Sequence, residues 1–128
     1  MLPSEWRPEG APNTFTVIPW PVYRPEYLLV LPPSRWSVLE ENINKQSLTD
    51  ERAANAVRVL SSQAAWVALD RFGRLPLTPR LLESVRLGEE AVLAGSVAKF
   101  EIWRPEAYAL AQATALSTVK EVLPTLML

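Results

Sequence analysis

The sequence predicts an α+β fold built from two related halves. Three observations point to it. Short apolar runs of strand length alternate with stretches of helical periodicity, and prolines crowd the start of the chain, with eight of the twelve in the first 33 residues. In addition, Tyr27-Leu-Leu-Val-Leu-Pro-Pro-Ser-Arg-Trp36 overlays Lys99-Phe-Glu-Ile-Trp-Arg-Pro-Glu-Ala-Tyr108 without a gap, so that Pro33 meets Pro105 and Trp36 meets Tyr108. Each copy reads as a strand, a proline near a helix start and an aromatic in the first turn.

The elements follow in order. Proline excludes helix interiors from the first 33 residues and limits strands to edges or short pieces. Phe15 to Ile18 and Tyr27 to Leu31 are the strands expected there, the second a continuous apolar run suited to burial on both faces. Trp36, Leu39 and Ile43 share a helix face, with Ser37 to Glu40 as a capping box and an end near Asn44. A second helix opens at Thr49, with Asp50 and Glu51 in its first turn and Ala53, Ala56, Val57 and Leu60 inward, and frays at Ser61-Ser62. Ala64 to Leu69 reads as a strand, Asp70-Arg71-Phe72-Gly73 as a turn and Arg74 to Leu77 as the returning strand. Thr78-Pro79 starts a short helix with Leu81, Leu82 and Val85 inward and Gly88 at its close. Strands at Ala91 to Ala94 and Lys99 to Trp103 flank Gly95-Ser96. Pro105 opens an alanine-rich helix to about Thr118, and a loosely patterned apolar tail follows.

Composition narrows the chemistry. The 128 residues include no histidine and no cysteine, which excludes Ser-His and Cys-His nucleophiles, zinc fingers and iron-sulfur clusters. Glu40-Glu41 and Glu89-Glu90 are sequence neighbours that do not converge on one helix face and read as solvated surface. Four glycines without a Gly-x-Gly arrangement give no phosphate loop. An enzyme is therefore not expected, nor any cofactor or metal. A net charge of -1 lacks the basic excess of a protein that coats nucleic acid, so DNA binding needs a local patch. Met1 to Arg7 carries acid, base and proline where a signal peptide is apolar, and no apolar run is long enough for a membrane span, so a cytoplasmic protein is expected.

The stretch Leu69-Asp70-Arg71-Phe72-Gly73-Arg74-Leu75, with the short helix, Glu90-Ala-Val-Leu-Ala-Gly95 and Lys99-Phe-Glu-Ile-Trp103, resembles the second half of the MraZ family. Leu2-Pro3-Ser4-Glu5-Trp6-Arg7 and Leu31 to Leu39 resemble parts of its first half. The resemblance implies two SpoVT-AbrB-type repeats forming a pseudo-twofold β-barrel or split-barrel core with flanking helices. Residues 1–45 are then the first half, 46–63 a connecting helix, 64–118 the second half and 119–128 a C-terminal tail. The family's first Asp-x-x-x-Arg motif is absent, as though the chain begins immediately after it, and Thr78 stands where proline usually follows the second motif.

The resemblance further implies a sequence-specific, nucleoid-associated transcriptional regulator of the bacterial division and cell-wall gene cluster. Its partners would be double-stranded DNA and further copies of itself in a ring-like homo-oligomer. The family's contact arginine falls on Arg74, with Asp70 as its companion, Arg71 adding charge at the tip and Gly73 letting the turn reverse. An arginine fixed beside a tight turn can give phosphate or a guanine edge two parallel hydrogen bonds, and a carboxylate four positions away can hold its rotamer. Residues 70–86 add Arg80 and Arg86 against only Asp70 and Glu83. The plainer alternative is that Asp70 and Gly73 merely make a turn and Arg74 is a surface strand residue.

Arg24 and Arg35 are further contact candidates that default to solvated surface. Trp36 and Trp103 read as core or interface rather than base-stacking platforms, and Trp20, between prolines, as a residue packed between subunits. The apolar tail either docks on a neighbouring subunit or stays disordered. Two other functions stand beside the regulator: an oligomeric interaction protein of the same fold that has lost DNA binding, and an AbrB-like antitoxin, which shares the motif but not the two-repeat length.

Overall fold

The computed structural model describes residues 14–46, 51–96 and 99–126. Five strands form one antiparallel sheet: β1 (Thr14–Trp20), β2 (Tyr27–Leu31), β3 (Ala65–Ala68), β4 (Val92–Ser96) and β5 (Lys99–Trp103), in the order β3-β1-β2-β5-β4. Four helices accompany it: α1 (Pro33–Gln46), α2 (Glu51–Gln63), α3 (Pro79–Ser84) and α4 (Pro105–Leu126). The architecture is α+β.

The sheet is open rather than a closed barrel, since its end strands β3 and β4 do not pair with each other. The expected returning strand at 74–77 is the missing piece. That segment is irregular, because Pro76 in its middle has no N–H to give a ladder. Leu75 and Leu77 still pack on the core.

The run at Tyr27 to Leu31 is the central strand, as its unbroken hydrophobicity predicts. Leu28 and Val30 enter one core cluster with Phe15, Val17, Val67, Phe100 and Ile102, while Leu29 and Leu31 enter another with Ile18 and Ala64. The period-two alternation of a strand divides them. The first cluster is covered by Leu81 and Val85 at the α3 end, and the second by Trp36 and Leu39 of α1 and Leu60 of α2. β1 tolerates Pro19 because β3 pairs only with Thr14 to Val17, leaving the proline with a neighbour on one side alone.

Several helix ends differ from expectation. α1 begins at Pro33, with Trp36 N–H donating to Pro32 O at 3.2 Å. Proline at the first helical position makes this start, and Ser37, read as a cap, lies inside with its hydroxyl donating to Pro33 O at 3.2 Å. The cap of α2 at Thr49-Asp50 and the side chains of Ile43 and Ala53 lie outside the described residues. Ala56, expected inward, is exposed, and Ser61-Ser62 remain helical. α3 starts as expected, with Thr78 Oγ1 accepting from Leu81 N–H at 3.3 Å. It ends earlier, at Ser84, and is closed by Arg86 rather than Gly88: Leu87 N–H donates to Leu82 O at 2.9 Å, Arg86 N–H to Glu83 O at 3.1 Å, and Arg86 takes φ 53°. This pair of bonds is the Schellman motif, with arginine in the left-handed position that glycine favours. α4 runs to Leu126, past the expected end near Thr118.

At the start of α4, Trp103 stacks on Tyr27 with ring centroids 4.5 Å apart and meets the edge of Tyr108 at 5.7 Å. Its indole Nε1 donates to Glu101 Oε1 at 2.8 Å. Trp103 is therefore core, and Trp20 packs within the chain against the second cluster. Burial raises the Tyr27 hydroxyl to about 12, with the Glu101 and Glu26 charges adding to the shift. A tyrosine that ionises later in the folded than in the unfolded state stabilises the neutral side of its titration. That contribution is intact below pH 10 and is lost as pH rises through about 12. Melting temperature against pH should fall across this window, and fall less in Tyr27→Phe.

Candidate nucleic-acid interface

β3 leads directly into the turn that carries all four sequence-predicted site residues. Gly73 N–H donates to Asp70 O at 3.0 Å and Asp70 N–H to Arg74 O at 2.9 Å. A three-residue connection of this kind places its last residue in the left-handed region, and Gly73 has φ 79°. Glycine meets the requirement without a Cβ clash.

The Asp70 carboxylate works on the backbone. Its Oδ1 accepts from Phe72 N–H at 2.8 Å and Arg74 N–H at 2.9 Å, whereas the sequence suggested that it holds the Arg74 guanidinium. The fold of the turn explains this: both amides point inward across the loop, within reach of a short side chain at its first position. The Arg74 N–H holds the carboxyl below its ordinary value; partial desolvation opposes this, and the Phe72 N–H and the Arg74 charge add to the lowering. A depressed carboxylate stabilises the turn above its ordinary range, and that support is lost as pH falls through the lowered value. In an acid titration followed by NMR, the Phe72 and Arg74 amides should move together with a midpoint below 3.8. In Asp70→Asn, whose side-chain oxygen can still accept, the movement should vanish.

Phe72 was not foreseen as part of the site. It is 51% exposed, and the Arg71 and Arg74 guanidinium carbons lie 4.7 and 5.4 Å from its ring centroid. Cation–π attraction thus places two exposed cations around one ring. The signal available in the sequence was the aromatic set between two arginines within a tight turn. Arg80 is exposed on α3. Arg86 and Arg24 line a separate cleft, and Arg35 lines a cavity beside α1 with Lys99. Among the described residues no group of acidic side chains could hold a metal ion, and no helix is long and apolar enough to cross a membrane.

An open antiparallel sheet with a basic, carboxylate-braced turn at the end of an edge strand defines the chain as an α+β protein. Comparison with known proteins specifies the family. A family model for the MraZ protein, described as antitoxin-like, matches residues 60–121. The transcriptional regulator MraZ of Mannheimia succiniciproducens is 31% identical over 103 residues, covering 80% of this chain and 68% of the relative. That of Nitrosospira multiformis is 33% identical over 90 residues, 70% of this chain and 61% of the relative, and that of Clostridium acetobutylicum 37% over 79 residues, 62% and 56%. The chain belongs to the MraZ family. It spans about 61% of the relative from Nitrosospira multiformis and 56% of that from Clostridium acetobutylicum.

Proposed function

We propose that the chain is a DNA-binding transcriptional regulator whose turn at Asp70 to Arg74 contacts duplex DNA. The supporting observation is the turn itself, in which Arg71 and Arg74 flank Phe72 while the Asp70 carboxylate is occupied by backbone amides. Two guanidinium forks on a short rigid loop suit phosphate oxygens and a guanine edge. Membership of a family whose relatives are named transcriptional regulators supports the same reading. The division and cell-wall gene cluster is the target that the resemblance implies, with a place in the cytoplasm at the nucleoid.

One turn binds weakly, so the reading includes a homo-oligomer in which each contact raises the effective concentration of the next. The outer half of α4 supports this, with Leu116, Val119, Val122 and Leu123 exposed. A duplicated origin belongs to the same proposal. The aligned segments coincide with β2 leading into α1 and β5 leading into α4, and β2 pairs with β5 so that Leu29 faces Glu101, its counterpart in the alignment.

The test is binding of the purified chain to duplex DNA from upstream of the division cluster and to a scrambled duplex, over a range of salt. Tighter binding to the native duplex, weakening with salt, is expected. Equal affinity for both duplexes would leave an interaction protein of the same fold as the better description.

A further inference from the structure

Away from the Asp70 to Arg74 turn, three arginines from three elements meet at one cleft. Arg24 comes from the β1–β2 connection, Arg86 from the end of α3 and Arg104 from the junction of β5 and α4, and the cleft has a volume of about 630 Å³. That size is in the range of small-molecule sites. Among the described residues Glu26 is the one carboxylate lining it. Among the described residues neither the Arg24 nor the Arg86 side chain has a carboxylate partner. Arg104 reaches Glu106 only at 3.9 Å through Nη1, and its Nε is buried without a hydrogen-bond partner. A buried donor left unmatched is costly.

Arg86 adds a second, independent observation. Its backbone holds the left-handed conformation at the Schellman position, where a side chain is strained and glycine is relaxed. The Arg86 side chain is nevertheless kept there, among the residues that line the cleft. The rest of the lining is mostly apolar, with Trp103, Leu110 and the alanines of α4.

We propose that this cleft binds a small phosphate monoester carrying an apolar group. Three guanidinium groups face Glu26, and Glu106 offsets part of the Arg104 charge at 3.9 Å, so the cleft keeps a net positive charge that attracts an anion. Guanidinium forks match phosphate oxygens in geometry as well as charge. The apolar wall requires something that a phosphodiester backbone lacks, namely an apolar substituent close to the phosphate. The site uses none of the turn residues at 70–74, so it stands or falls separately from DNA binding.

The probes are phenyl phosphate, inorganic phosphate and phenol, titrated into the intact protein by calorimetry. Phenyl phosphate should bind saturably at one per chain, inorganic phosphate about tenfold more weakly and phenol not detectably. Arg86→Gly should lower phenyl phosphate affinity about tenfold while leaving the melting temperature of the free protein unchanged or higher, because glycine relieves the left-handed strain. Arg24→Gln, at an exposed turn, should weaken binding without unfolding the chain. Absence of saturable binding overturns the proposal, and so does undiminished affinity in Arg86→Gly. Displacement of phenyl phosphate by duplex DNA would assign the cleft to the DNA surface instead. A change of oligomeric state in the arginine variants, without ligand binding, would assign it to a subunit contact, which also overturns the proposal.

Discussion

Arg74→Ala should lower affinity for the native duplex by about ten- to a hundredfold while leaving stability nearly unchanged, the equivalent of about 1–3 kcal/mol for one bidentate contact. The separation of the two effects follows from where the residue sits. Arg74 is exposed, and the bond that Asp70 makes to it uses its backbone N–H, which alanine keeps. Only the guanidinium over Phe72 is lost. A surface change of this kind costs within about 0.5 kcal/mol of folding stability. Arg74→Lys retains the charge and should recover non-specific binding while losing discrimination between duplexes, since an ammonium cannot form the two parallel bonds. Gel-shift or anisotropy titrations at matched salt read both quantities. If Arg74→Ala binds the native duplex as tightly as the parent protein does, the turn is not the DNA contact.

Leu81→Ala should destabilise the protein by about 2–5 kcal/mol, the range for removing a leucine from a packed core. Leu81 is fully buried and is one of two α3-end residues in the first core cluster, with Val85. A helix of six residues is far too short to persist by itself, so α3 depends on this anchor and on the Thr78 cap. Denaturant midpoints should shift accordingly, and native-state hydrogen exchange should show α3 opening before the sheet. A loss below about 1 kcal/mol would mean that the site collapses around the deletion, at the small end of what core truncations cost. The turn at 70–74 precedes this helix by only a few residues, so the variant should also loosen the presentation of Arg74.

What could be read from the sequence was what is encoded locally. Asp70 and Gly73 specify their turn through a short acceptor side chain and a missing Cβ, and both requirements are visible within five residues. Thr78-Pro79 states a helix start in the same way. The run at Tyr27 to Leu31 was legible because a strand covered on both faces has no polar position at all. Elements decided by distant partners were not. Arg74 to Leu77 has strand composition, but pairing depends on N–H groups across a ladder, and Pro76 removes one. Ser37 to Glu40 imitates a capping box, while the actual start is set by Pro33. The left-handed position at Arg86 was hidden behind Gly88, a better residue for it two places later. The length of α4 was understated because Thr118, Val119 and Val122 are weak helix formers and Pro124 discourages a helix interior, although Leu116, Val119, Val122 and Leu123 share one face.

Within the candidate site, the backbone role of Asp70 was beyond sequence reasoning, since spacing of four residues fits an ion pair and an amide cap equally well. The family assignment drew on the same local motif, and the matched relatives extend it over most of the chain.

The seam between β2 and β5 sets how the molecule must fold. Each strand has a local antiparallel neighbour, β1 for β2 and β4 for β5, and those hairpins can form early at small entropic cost. Joining them requires closing the whole intervening chain, a non-local event that slows folding more than it limits final stability. Once joined, Leu28 and Val30 share one core cluster with Phe100 and Ile102. Neither hairpin then has a finished interior of its own, so the two should unfold together as one cooperative unit.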